Sequence, residues 1–252
     1  MSFQQKKSKI FTTTKYHLWI VIGFFLITSY AAFFNHTYWT IFDQDGLIYL
    51  EGGKEILNGY GKNVQFLNAG PLGAVLFATL DLIFHDGFFA VKLVSVLSGT
   101  GIVFFSYYII RNIFNPKIAL VGQLFVAFNP WFNVLSTQAL NDLLPICLTM
   151  FSLYFLTKED WKIYDMMIIG SITGLAFMIR YQAVLILFTA IIVVLLSKKK
   201  FSVKMSYVVI IVMFFLILAS PMFFYNYMVH ESLVDSNPNF IIATRSQYIT
   251  PE

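Results

Sequence analysis

Residues 71–84 read PLGAVLFATLDLIF, and the fold turns on whether this run crosses a membrane or rests on one. That a membrane is involved follows from composition. The chain of 252 residues is 58% hydrophobic and 18% aromatic but only 12% charged, against about half apolar and about a quarter charged in soluble domains. In lipid each span must satisfy its own backbone hydrogen bonds, so the expected fold class is an all-α integral membrane protein.

Seven other apolar runs read as spans once flanking residues are counted: 18–34, 88–110, 118–132, 143–157, 163–179, 182–196 and 204–220. Crossing the hydrocarbon takes about 20 residues, and shorter apolar runs such as 71–84, which opens on Pro71 and carries Asp81, are more often interfacial or re-entrant. Positive charge decides the case. With 71–84 lying on the membrane, the cytoplasmic segments hold Lys6, Lys7, Lys9, Lys15, Arg111, Lys117, Lys158, Lys162, Lys198, Lys199, Lys200 and Lys204. The far side holds Lys54, Lys62, Lys92, Arg180 and Arg245, giving 12 against 5, as the positive-inside rule requires. If 71–84 crossed, the lysine runs at 158–162 and 198–204 would face out. The expected layout is seven spans with the N-terminus cytoplasmic.

The same layout puts ten of the thirteen acids outside, among them Asp43, Asp45, Asp81, Asp86 and Asp142. Polar chemistry is therefore expected at the extracytoplasmic face. The first outer loop, 35–87, reads as two juxtamembrane helices, 46–57 and 71–84. In the first, Leu47, Tyr49, Leu50, Ile56 and Leu57 make one apolar stripe and Gly59 is the expected stop. The segment 221–252 is expected to be a polar tail at the outer face, ending where a longer protein would continue.

Several function classes are excluded. The net charge of +4 is spread over loops and reads as topology, so no nucleic-acid partner is expected. Cys147 sits in an apolar run as a small packing residue. His17, His36, His85 and His230 have no metal-ligand spacing, and there is no phosphate loop, dinucleotide fingerprint or Ser-His-Asp order. The basic N-terminus and first apolar run lack a small-residue cleavage site and read as a retained span. Asn35-His36-Thr37 fits a glycosylation sequon but abuts that span.

An outer loop with "DGLIY" before a short helix, "GPL" opening 71–84, and then "FFAVKLVSVLSG", "IIRNIFNPKIALVGQLFVAFNP", "LSTQALNDLL" and "GLAFMIRYQAVLIL" follow one another in order. Together they resemble the GT-C glycosyltransferases that use polyprenyl-phosphate sugars, of the protein O-mannosyltransferase and aminoarabinose-transferase type, over about residues 15–230. The resemblance implies a GT-C module of seven transmembrane helices with two juxtamembrane helices in the first outer loop, the layout that the charges also give. It implies a donor that is a dolichyl- or undecaprenyl-phosphate sugar, a protein, glycan or lipid acceptor, and inverting transfer at the outer face. Membrane lipid is the other partner, and the expected setting is a prokaryotic plasma membrane.

By the same resemblance, Asp45 stands at the position of the catalytic acid, with Asp43 as a helper. A carboxylate within reach of an acceptor hydroxyl takes its proton as the bond to C1 forms; the plain reading of Asp45 is a helix N-cap. Asp142 matches the acid that opens the fourth span and is a further catalytic candidate facing the same outer cavity as Asp45, with an N-cap role for Asn141 or Asp142 as its plain reading. Arg180 matches a basic residue that would hold the lipid phosphate, its plain reading being a snorkelling interfacial cation. Lys92 either helps with the phosphate or pairs with Asp86, and Tyr49 belongs with the substrate-binding residues. No cofactor is certain, and a divalent metal, if one binds, would take Asp45 and Asp142. Two departures weaken a metal site: Gly46 stands where the family often has Glu, and Asn68 where some members have an acid before the proline of the second helix. The rival reading is a non-catalytic or truncated membrane subunit that binds polyprenyl lipid. A transporter fits less well, since its charges would gather at the bilayer midplane.

Overall fold

The structure is a computed structural model that describes residues 3–34, 43–61 and 70–230. The described residues are 87% helical and contain no strand. In chain order the helices are α1 Phe3–Phe34, α2 Asp43–Leu57, α3 Pro71–Phe84, α4 Gly87–Ile113, α5 Pro116–Ala127, α6 Pro130–Thr137, α7 Leu143–Leu156, α8 Ile163–Ile179, a 3-10 turn at Tyr181–Ala183, α9 Val184–Leu196 and α10 Phe201–His230.

Three of these are long and apolar enough to cross a membrane: Lys15–Phe34 within α1, α4, and Phe201–Met228 within α10. The pair α5 and α6 makes a fourth if taken as one broken span. Helices α7, α8 and α9 are apolar but hold 14, 17 and 13 residues.

The helix expected over 118–132 is corrected to two helices meeting at 61°, which make one broken span if the pair crosses. Its cause is a Phe-Asn-Pro sequence that occurs at 114–116 and again at 128–130. Asn115 accepts hydrogen bonds from the Lys117 and Ile118 amides and starts α5; Asn129 accepts one from the Phe132 amide and starts α6. Proline at the first helical position gives up only an amide that has no partner in the helix anyway. The Asn133 amide then donates to the Ala127 carbonyl at 2.8 Å, satisfying an end that α5 leaves open.

A second correction concerns the tail. Residues 221–230 are not loop, because α10 runs through Pro221 to His230. Proline there cannot donate to the Ile217 carbonyl, and the Ser220 hydroxyl donates to it instead at 2.8 Å. The Tyr225 hydroxyl donates to the Gly61 carbonyl at 3.0 Å and the Asn226 amide to the Tyr181 hydroxyl at 3.4 Å, which ties this extension to the rest of the fold. The remainder of the tail, Asn35–Thr37, Lys62 and Asn68 lie outside the described residues.

Among the described residues, buried apolar side chains fall into three clusters, the smallest of them Phe24, Val103 and Ala127 between α1, α4 and α5. Met166, Ile169, Phe177, Ile211, Phe215 and Met222 make the core between α8 and α10, with α7 and α9 beside it. Tyr49, Leu50, Ala74, Phe77, Val91 and Val94 join α2, α3 and α4. Of the stripe expected on α2, Tyr49 and Leu50 are buried and Leu47 and Ile56 pack against them, while Leu57 is exposed. The expected stop holds: Gly59 takes φ +83°. Lys54 links α2 to α3 by an ion pair with Asp81 at 3.0 Å.

Candidate functional site

The site is built where five elements come to one end of the bundle: α2, the start of α3, the 138–142 segment between α6 and α7, the end of α8 and the extension of α10. The amide of Gly70 donates to the carbonyl of Ile179 at 3.1 Å, which fixes the start of α3 against the end of α8. The Ser95 hydroxyl of α4 donates to the Leu140 carbonyl at 3.1 Å and anchors the 138–142 segment.

Asp142 occupies the N-cap position of α7 but its side chain caps nothing. Its carboxylate is instead held by the guanidinium of Arg180, which stands where α8 ends and the chain turns into α9. The expected N-cap role of Asp142 therefore does not hold. The arginine is 24% exposed and the aspartate 44%, so the pair lies open on one side. The guanidinium is also 6.0 Å from the centroid of the Tyr49 ring on α2.

Helix α2 begins at Asp43, two residues before Asp45. The N-cap expected of Asp45 is thus corrected to a place in the first turn, where a carboxylate still meets the positive end of the helix dipole. It is exposed. Spacing puts it one turn from Tyr49 on the same face, and Asp45, Asp142 and Arg180 all act on the Tyr49 hydroxyl. Burial raises that phenol above its ordinary value; the guanidinium opposes the rise, and the two carboxylates add to it. Asp43 opens α2, and its side chain lies outside what the structure describes.

Gly46 has a structural cause. A Cβ at this position would lie 2.1 Å from the Ala139 carbonyl oxygen, so α2 reaches the 138–142 segment only with glycine there.

Lys92 is buried on α4, with Nζ 3.4 Å from the Ala32 carbonyl of α1 and 4.3 Å from the Phe88 ring centroid. Asp86 instead caps α4 by accepting from the Phe89 amide at 2.9 Å.

A metal expected at Asp45 and Asp142 would share the Asp142 carboxylate with Arg180, which already holds it. Among the described residues no three His, Cys, Asp or Glu side chains converge.

Sequence reasoning missed the extension of α10 and the buried amide of Asn141, which rests against Gly73 in the first turn of α3. The signal available for Asn141, read only as a cap, was its place beside Asp142.

A family model described as dolichyl-phosphate-mannose-protein mannosyltransferase matches residues 68–225. The match takes in Lys92, Asp142 and Arg180 and leaves out Asp43, Asp45 and Tyr49. No curated protein and no solved structure gives a match. With more than half of its length matched, the chain belongs to the dolichyl-phosphate-mannose-protein mannosyltransferase family.

Proposed function

We propose that this membrane glycosyltransferase moves a sugar from a polyprenyl-phosphate donor to an acceptor hydroxyl at the extracytoplasmic face, with inversion at C1. The observation that carries this reading is Arg180, half-buried, open on one side, held by Asp142 and faced by Tyr49. In the proposed topology all seven runs cross, the short ones completed by polar flanks, while α2 and α3 lie along the surface. The exposed Leu82, Ile83 and Phe84 at the end of α3 suit a lipid interface.

The reaction follows from charge. The acceptor oxygen attacks C1 from the face opposite the phosphate as Asp45 takes the hydroxyl proton. The C1–O bond to phosphate breaks, and its electron pair stays on the phosphate. A phosphodiester monoanion thus departs as a phosphomonoester with one more negative charge. Arg180 stabilises that developing charge, because a guanidinium can bind two phosphate oxygens in parallel. Asp142 acts as a positioning residue that holds the guanidinium in place before the donor arrives. The lipid tail lies in the bilayer, and its binding orients the sugar for attack.

The test is binding of a polyprenyl phosphate to the purified protein in nanodiscs, wild type against Arg180→Ala, followed by transfer assays with sugar-bearing donors. Saturable binding that weakens with the substitution supports the reading. No specific binding by wild type would sink it and favour a non-catalytic subunit.

A further inference from the structure

Next to the ion pair, the 138–142 segment carries polar atoms that no group among the described residues answers. Asn141 is 1% exposed, and neither its Oδ1 nor its Nδ2 has a hydrogen-bond partner among the described residues. Among the same residues Gln138, 8% exposed, leaves Oε1 unanswered, and the Nε of Arg180 is buried without a partner as well. Folded proteins leave few such groups, and each calls for an explanation. These fall within one short segment and the arginine bound to it.

The inventory says what would satisfy them. The unanswered set has donors (Asn141 Nδ2, Arg180 Nε) and acceptors (Asn141 Oδ1, Gln138 Oε1). Phosphate oxygens accept and do not donate, so an anion answers the donors and sets its charge against both amide oxygens. A hydroxyl donates and accepts, and two neighbouring ring hydroxyls can meet both atoms of a carboxamide. The Asn141 amide lies against Gly73 in the first turn of α3, where a Cβ would come within 2.4 Å of its Oδ1. Its chain neighbour, Asp142, holds Arg180. A sugar and the phosphate on its C1 are contiguous, as these two sites are.

We infer that Asn141, with Gln138, binds hydroxyls of the transferred sugar and so sets which sugar is accepted, an assignment that rests on the glycosyltransferase reading above.

The test measures binding in nanodiscs of lipids that share one polyprenyl tail: the bare phosphate, the phosphate bearing mannose, and the phosphate bearing glucose. Wild type binds one sugar-bearing lipid more tightly than the bare phosphate. Asn141→Ala weakens that lipid by about tenfold or more and leaves the bare phosphate unchanged, while Arg180→Ala weakens both. Equal weakening of both lipids by Asn141→Ala, or no change in either, overturns the sugar assignment and leaves the glycosyltransferase reading standing. Wild type that binds no polyprenyl lipid overturns both. Should Asn141→Ala not purify as a monodisperse protein, Gln138→Ala decides by the same criterion.

Discussion

Asp142 and Arg180, 38 residues apart in the chain, are joined by an ion pair that brings the start of α7 to the end of α8. Each side chain is already engaged before any ligand arrives, so the two act as a unit and their substitutions should not add. Arg180→Ala should lower transfer by about 100-fold or more, and Arg180→Lys should not restore it, because an ammonium lacks the planar fork. Asp142→Asn should cost less, and the double substitution should match Arg180→Ala alone. Steady-state transfer rates on the four proteins check this; additive losses would mean that the residues work separately.

Asp45 is exposed at the start of α2, and Asn has nearly its shape. Asp45→Asn should therefore leave the thermal midpoint and donor binding unchanged while transfer drops by about 10²- to 10⁴-fold. Undiminished transfer would remove Asp45 from the mechanism.

Gly46 tests the contact between α2 and the 138–142 segment. Gly46→Ala puts a methyl 2.1 Å from the Ala139 carbonyl oxygen and should destabilise the protein by about 1–3 kcal/mol. The expected result is a lower thermal midpoint together with reduced transfer, since α2 carries Asp45 and Tyr49. An unchanged midpoint would show that the two segments are not in contact.

Tyr49 gives a prediction in pH. Burial holds its phenol above 10.0 in the folded protein. The folded state binds the proton more tightly than the unfolded chain, so this stabilisation is complete below about pH 10 and is lost as pH rises through the higher folded value. Above about pH 10 the midpoint of wild type should fall more steeply than that of Tyr49→Phe. Below it, the pH profiles of transfer should have the same shape. A profile that changes shape near neutrality would mean that the phenol titrates there.

The proposed topology has its own measurement. With Cys147 replaced by Ser, an impermeant maleimide should label Asn58→Cys in intact cells, and Lys199→Cys only after permeabilisation. Both labelled from the same side would overturn the arrangement.

Much of the fold was legible because the sequence marks its own boundaries. Pro71 starts α3 where it was expected, and His85, at φ 54°, ends it in a left-handed cap. Helix α8 keeps both expected limits because its apolar run is bounded by Lys162 and Arg180. The break at Asn129-Pro130 was masked by apolar residues on both sides, although the dipeptide itself was a usable sign. The tail was placed from 221 onward because proline leaves the Ile217 carbonyl without its helical donor, and whether Ser220 answers it depends on the rotamer of one side chain. At the site, Asp142 and Arg180 could each be singled out by charge and position. That they hold one another, and that Asn141 is buried unpaired beside them, depends on how α3, α7 and α8 meet, which no local pattern records.

The closed pair also bears on competition. Ordinary anionic phospholipids greatly outnumber any carrier lipid in a bilayer, and a bare arginine at the headgroup level would collect them. Held by Asp142, Arg180 exchanges one oxyanion for another when a headgroup arrives, so a passing phospholipid gains less from it than from a bare arginine. A carrier that also brings hydroxyls for the neighbouring amides has more to exchange for the carboxylate, so rarity in the membrane need not mean exclusion from the site.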